Sequence, residues 1–258
     1  MKPRILVLRT DGTNCDGETL FAFDQAGGDA RLVHINELRG GFAKLADYQV
    51  MVIPGGFSYG DDVHSGKILA VELVSTLTEQ LLTFLAAGKP VLGVCNGFQV
   101  LVRTGILPGG SPGPISLALM GNDSGHFECR WIRLRVEKSD CIFTRGLEGR
   151  VLDIMVAHGE GKLYTDPGRL AEMEARNQIV FRYVGADGEP TDRYPDNPNG
   201  SSRAVAGLCD PKGLVLGLMP HPERIVEVTQ HPNWRRGGFH DPPALYIFRN
   251  AVDYVRAM

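Results

Sequence analysis

The chain has 258 residues, 43% of them hydrophobic and 22% charged, with a formal net charge of −3 at pH 7. Such a composition fits a globular protein of one large α/β domain or two small ones, with roughly three quarters of the unfolded surface buried. The charge and the lack of a basic run exclude an electrostatic footprint for nucleic acid, and no stretch approaches the ~18 apolar residues of a membrane span. Met1 to Leu8 is too short an apolar run for a signal peptide. Five widely spaced cysteines fit a reducing compartment, so the expectation is a cytoplasmic chain with no nucleic-acid or membrane partner. The Asn199-Gly200-Ser201 and Asn122-Asp123-Ser124 sequons then read as accidental, and Arg235 and Arg236 as solvated surface or a partner contact.

Arg4 to Leu8 reads as a first strand, followed by a polar turn from Thr10 to Asn14. A helix is expected from Asp16 to Ala26, with Leu20, Phe21, Phe23 and Ala26 on its inner face and Gly27-Gly28 as the stop. Ala30 to Ile35 and Gln49 to Ile53 read as the second and third strands. Lys67 to Ala87 reads as one long helix capped by Gly88, with Ile68, Leu69, Leu73, Leu77, Leu81, Leu82 and Leu85 near helical spacing. Strands alternating with helices imply right-handed crossovers and an open, mainly parallel sheet with helices on both faces. The second half differs. Glu128 to Val136 alternates as an antiparallel or edge strand does, and Val151 to Ala157 and Ile179 to Val184 are further strands. Gly185 to Ser202 reads as a loop too polar to pack. Gly213 to Met219 returns to a buried strand, and Ala244 to Ala257 forms a last helix.

The segment that carries chemistry is Lys89 to Val102. Pro90 to Val94 is a short buried strand and Asn96 opens a helix, so Cys95 sits at a strand-to-helix turn between Gly93 and Gly97. That is the G-x-nucleophile-x-G elbow with sulfur in place of a hydroxyl. Glycines are required because the nucleophile's backbone is strained and another segment passes close by, and a helix N-terminus favours the reactive thiolate. Cys15 also precedes a helix, but it has no elbow and Asp16 beside it disfavours a thiolate.

A thiol nucleophile needs a base and a group that orients the base. His221-Pro222-Glu223 in an extended segment would bring carboxylate and imidazole to one side. His158-Gly159-Glu160 has the same spacing, and physics alone does not separate the two. The glycine turn Pro54 to Phe57 follows the third strand. Its backbone N–H groups, with that of Asn96, could hold the oxyanion of a tetrahedral intermediate. The chain has no phosphate-loop or dinucleotide fingerprint, and its Cys and His spacings do not make a zinc site, so no metal is expected.

Gly93-x-Cys95-x-Gly97-x-Gln99 with an upstream glycine turn and His221-x-Glu223 downstream resembles the class I glutamine amidotransferases. Gly12-Thr13-Asn14-Cys15-Asp16, Pro54 to Asp61, Cys129-Arg130-Trp131, Ala157 to Gly161, Asn197 to Ser201 and Met219 to Arg224 narrow the resemblance. Together they are similar to the glutaminase-subunit family of phosphoribosylformylglycinamidine synthases, over nearly the whole chain. The resemblance implies a flavodoxin-like fold, with residues 1–258 forming a single amidotransferase domain. It implies a Cys95, His221 and Glu223 triad, an oxyanion site at Gly56 and Asn96, and a glutamine pocket walled by Phe57, Gln99, His158 and Glu160. It also implies ammonia transfer to a synthetase subunit, with room for a small third subunit. No cofactor is expected in this chain, and ATP and Mg are expected at the partner. Arg9-Thr10-Asp11, Asp62 to Lys67 and Asn233 to Pro243 depart from the family pattern and bear on assembly. The rival readings are a stand-alone Cys-dependent hydrolase on the same elbow and a non-catalytic glutamine-sensing subunit.

Overall fold

The computed structural model describes residues 2–236 and 242–258, so part of the atypical Asn233 to Pro243 segment lies outside the described residues. The chain runs β1 (Arg4–Arg9), α1 (Asp16–Gln25), β2 (Asp29–His34), α2 (Ile35–Arg39), β3 (Val50–Ile53), α3 (Lys67–Thr76), α4 (Thr78–Ala86), β4 (Val91–Val94) and α5 (Asn96–Arg103). It continues with α6 (Ile106–Gly109), β5 (Ala118–Gly121), β6 (Glu128–Val136), β7 (Val151–His158), β8 (Glu160–Tyr164), α7 (Pro167–Ala175), β9 (Ile179–Tyr183), β10 (Val205–Cys209), β11 (Val215–Leu218) and α8 (Leu245–Arg256).

Nine strands form one sheet in the order β2-β1-β3-β4-β11-β10-β9-β6-β7. From β2 to β11 every pairing is parallel, and β3, β4 and β11 are buried along their whole length because helices cover both faces. The step from β1 to β2 runs one way along the sheet and the step from β3 to β4 the other. Right-handed crossovers therefore put α1 on one face and α3 and α4 on the opposite one, which is the α/β class expected from the sequence. The pairings from β11 to β7 are antiparallel and extend that sheet. On this side β7 alternates between buried and more exposed positions, as a strand with one wet face does. β5 and β8 pair separately as a small second sheet.

Several elements differ in detail from the sequence-based expectation. The helix expected over Lys67 to Ala87 is two helices bent by 84° at Leu77. Ser75, Thr76 and Thr78 return hydroxyl bonds to the carbonyls of Glu72 and Val74, an alternative to straight helix propagation. Among the described residues no single helix is long and apolar enough to cross a membrane. On α1 the buried stripe is Thr19, Ala22, Phe23 and Ala26, at i, i+3, i+4 and i+7, so Phe21 turns outward. Phe23 instead meets Phe248 of α8 edge to face at 5.0 Å.

The loop from Gly185 to Ser202 stays exposed or part-exposed from Ala186 to Asp196, as expected, but its last part packs. Asn197, Asn199 and Ser201 are buried because they bond one another and the backbone. Asn199 Nδ2 donates to the Gly161 carbonyl at 2.9 Å and to Tyr183 Oη at 3.0 Å, and its Oδ1 accepts from Ser201 Oγ at 2.7 Å. Polar side chains can be buried when each finds a partner, and here they find one.

Candidate active site

The loops after β1, β3, β4 and β11 converge at the carboxyl ends of those parallel strands. The order reverses between β1 and β3, and ligands bind at such a switch point. Cys95 follows β4 with φ 50° and ψ −104°, a left-handed backbone that a non-glycine residue adopts only under constraint. Its N–H donates to Leu218 at the end of β11, at 2.8 Å. A Cβ on Gly97 would lie 1.8 Å from the Ile53 carbonyl oxygen, and one on Gly93 would lie 2.7 Å from the Gly97 carbonyl oxygen. Both flanking positions must therefore be glycine for the elbow to close against β3.

His221 follows β11, buried, with its backbone N–H on the Met155 carbonyl of β7 at 2.9 Å. Its Nδ1 lies 2.6 Å from Oε1 of the fully buried Glu223. The segment is not extended: Pro222 to Arg224 form a turn of 3-10 helix, and that turn brings the two side chains together. With Nδ1 held by Glu223, the nitrogen left for Cys95 is Nε2, which has no hydrogen-bond partner among the described residues. Burial disfavours the imidazolium, but the Glu223 carboxylate, the Cys95 sulfur and Cys15 together hold the His221 pKa well above its ordinary value.

The rival histidine is placed differently. His158 ends β7 with its Nδ1 3.0 Å from Asn122 Oδ1, an amide where a dyad would need a carboxylate. Burial, with the neighbouring charge of His221, lowers its pKa to about 3. At neutral pH it is uncharged. Glu160 offers its backbone carbonyl to Gln99 Nε2 at 2.6 Å, and Gln99 Oε1 accepts from Asn96 Nδ2 at 3.2 Å. Gln99 therefore ties the helix of the elbow to the wall with both ends of its amide engaged.

Gly56 has φ 141°, and a Cβ there would lie 2.7 Å from the Asn14 nitrogen. The bonds that fix this turn use the amides of Phe57 (to Gly12, 2.9 Å) and Cys15 (to Gly55, 3.2 Å), leaving the Gly56 N–H outside them. Asn96 is the first residue of α5, where an N–H has no partner within the helix. Phe57 is 44% exposed and lies 6.4 Å from the Phe127 ring.

The structure also brings in Cys15, which sequence reasoning set aside. It is buried with its Sγ 4.0 Å from His221 Nδ1, and it accepts a bond from Arg224 Nη2 at 3.2 Å. The neighbouring Asp16 is paired with Arg9 at 3.4 Å. The signal in the sequence was the same as for Cys95, a cysteine just before a helix. What the sequence could not supply was the proximity of residue 15 to residue 221.

A family model described as a CobB/CobQ-like glutamine amidotransferase domain matches residues 2–255. The phosphoribosylformylglycinamidine synthase subunit PurQ of Dehalococcoides mccartyi is 45% identical, over 99% of this chain and 98% of its own. The subunit of the same name from Archaeoglobus fulgidus is 41% identical, over 99% of this chain and 98% of its own. Among solved structures, a chain of PurLQS from Thermotoga maritima superposes with a TM-score of 0.76 at 33% identity, covering 98% of this chain and 99% of that one.

Proposed function

The chain belongs to the CobB/CobQ-like glutamine amidotransferase domain family, and on that premise we propose that it is the glutaminase subunit of a phosphoribosylformylglycinamidine synthase. Residues 1–258 act as one amidotransferase domain that releases ammonia from glutamine. A synthetase subunit, with ATP and Mg at its own site, uses the ammonia to turn formylglycinamide ribonucleotide into the amidine. The assembly has room for a small third subunit, and the chain works in the cytoplasm. The full-length similarity to subunits named PurQ, and to a chain of a PurLQS assembly, supports the partner assignment.

The observation that carries the chemistry is the His221 Nδ1 to Glu223 contact of 2.6 Å, which leaves Nε2 as the base for a sulfur on a strained elbow. The Cys95 sulfur attacks the side-chain amide carbon of glutamine while its proton passes to Nε2. The Gly56 and Asn96 amides stabilise the oxyanion, a contribution typically of ~10²–10³ in rate per donor. Nε2 then protonates the leaving nitrogen, the C–N bond breaks and ammonia departs. Water, deprotonated by Nε2, attacks the thioester and releases glutamate. Phe57, Gln99, His158 and Glu160 form or brace the glutamine pocket. Ammonia is mostly protonated in neutral water and then non-nucleophilic, so a closed passage between subunits keeps it reactive.

The test is amidine formation by the chain assembled with its synthetase, fed with glutamine or with ammonia. Cys95→Ala is expected to lose glutamine-dependent turnover by about 10⁴-fold or more and to keep the ammonia-dependent rate. Retained glutamine turnover would favour the glutamine-sensing subunit, and full glutaminase activity without the synthetase would favour the stand-alone hydrolase. One observation favours a second reading, in which Cys15 is the nucleophile: its sulfur is 4.0 Å from the same imidazole. The nitrogen it faces is the one bonded to Glu223, so Cys15→Ala is expected to leave thioester formation in place.

A further inference from the structure

We propose that Cys15, His221 and Glu223 form a site for a thiophilic divalent cation of the zinc class, and that filling it switches the glutaminase off. One ligand atom from each of the three buried residues lies within 4.8 Å of the others. Tetrahedral zinc, with bonds of about 2.0–2.3 Å to sulfur, imidazole nitrogen and carboxylate oxygen, needs ligand atoms ~3.5 Å apart, so shifts of about an ångström close the site. A thiolate, an imidazole and a carboxylate make a donor set that suits this metal class.

Glu223 supplies the second observation. It is 0% exposed, and its Oε2 has no hydrogen-bond partner among the described residues. A buried carboxylate oxygen without a donor is costly, and a cation satisfies it. The Cys15 sulfur already accepts from a cation, the guanidinium of Arg224 at 3.2 Å. That side chain is 28% exposed and lies 3.6 Å from Glu18, so it has a second anionic partner and leads from the surface to the sulfur. A metal entering along it would displace one cation by another.

Occupation would act on the base. The thiol proton of Cys15 leaves to solvent, and the imidazole proton moves from Nδ1 to Nε2 as Nδ1 binds the metal. Nε2 then has no lone pair with which to take the proton of Cys95. This inhibitory half rests on the proposed function, whereas the binding half does not.

Binding is read by titrating Co²⁺ into the full chain carrying Cys95→Ala, which removes the other sulfur near His221. One equivalent with thiolate-to-cobalt charge-transfer absorption is expected, lost when Cys15→Ala is added. No such band in the first protein, or its persistence in the second, overturns the site. Arg224→Ala, a surface-reaching change, is a second arm and does not depend on packing a new residue at position 15. Freed of its competitor, the sulfur is expected to bind Co²⁺ about tenfold more tightly, and unchanged or weaker binding overturns the proposal. In the assembled enzyme, Zn²⁺ is expected to inhibit the glutamine-dependent and not the ammonia-dependent reaction. The half-inhibitory concentration is expected to rise at least ~tenfold in Cys15→Ser, each protein read against its own metal-free rate. Inhibition unchanged in Cys15→Ser overturns the switch. Failure of the glutaminase reading would show separately, as glutamine turnover that survives Cys95→Ala.

Discussion

The parallel and antiparallel halves of the sheet meet at one site but hold their residues by different means. In the parallel half β3, β4 and β11 are apolar and short, and the site is made where backbone must approach backbone, at Gly56, Gly93 and Gly97. From β10 to β7 the wall is set by side-chain hydrogen bonds, among them His158 to Asn122 and Asn199 to Gly161 and Tyr183. The first half fixes the reacting atoms through steric exclusion, the second through satisfied buried polarity. The comparison teaches that the catalytic half should fail all at once when a methyl is added, and the wall gradually as bonds are removed.

After the loss at Cys95, the largest expected effect is at Glu223, which belongs to the parallel half through β11. Glu223→Gln keeps the shape but no longer holds the Nδ1 proton, and glutaminase turnover is expected to fall by about 10³–10⁴-fold with little change in KM. A loss seen only in KM would mean that the residue serves the pocket. Next comes a paired glycine test. Gly97→Ala puts a methyl 1.8 Å from a carbonyl oxygen, whereas Gly159→Ala, directly after β7, meets only Phe127 Cδ2 at 3.8 Å. The first is expected to cost on the order of 3–5 kcal/mol by denaturant unfolding and the second within about 0.5 kcal/mol. Equal costs would erase the proposed difference between the halves.

In the wall, Asn199→Ala takes the donor from the Tyr183 hydroxyl and leaves the Gly161 carbonyl only the longer bond from Ser201 Oγ at 3.3 Å. It is expected to cost about 1–3 kcal/mol and to raise KM more than it lowers kcat. The last effect is a slope, small within any one pH unit. The unfolded chain titrates His158 near 6.5, and the folded chain holds it at about 3. Between those values the unfolded state binds a proton that the native state excludes, so stability falls as pH drops, by up to ~1.4 kcal/mol per pH unit from this residue. His221 works in the opposite sense. Its raised pKa adds stability that is fully present below 6.5 and is lost as pH rises through its folded value. His158→Asn is expected to flatten the acid limb of unfolding free energy against pH by about one proton, and an unchanged slope would contradict the buried neutral histidine.

The same contrast explains what could be read from the sequence. The elbow was legible because glycine spacing and a strand-to-helix change are local signals, and so was His221-x-Glu223 as a candidate pair. The tie with His158-x-Glu160 was not, since it turns on whether Asn122 or a carboxylate reaches the imidazole from a distant loop. The last part of the Gly185 to Ser202 segment looked unpackable because composition does not reveal that Asn197, Asn199 and Ser201 bond to one another and to Gly161. The break at Leu77 was hidden under a continuous apolar pattern, which fixes which residues face inward but not whether the axis stays straight. Cys15 was discounted for its neighbour Asp16, whose charge Arg9 takes up.

The central claim is that Cys95, and neither Cys15 nor any other sulfur, carries the glutamyl group. The assembled enzyme treated with a chloroketone analogue of glutamine, digested and read by mass spectrometry, tests it most directly. One adduct per chain is expected, on the peptide holding Cys95, with loss of glutamine-dependent turnover in step with labelling. An adduct on Cys15, or full inactivation with Cys95 unmodified, would contradict it.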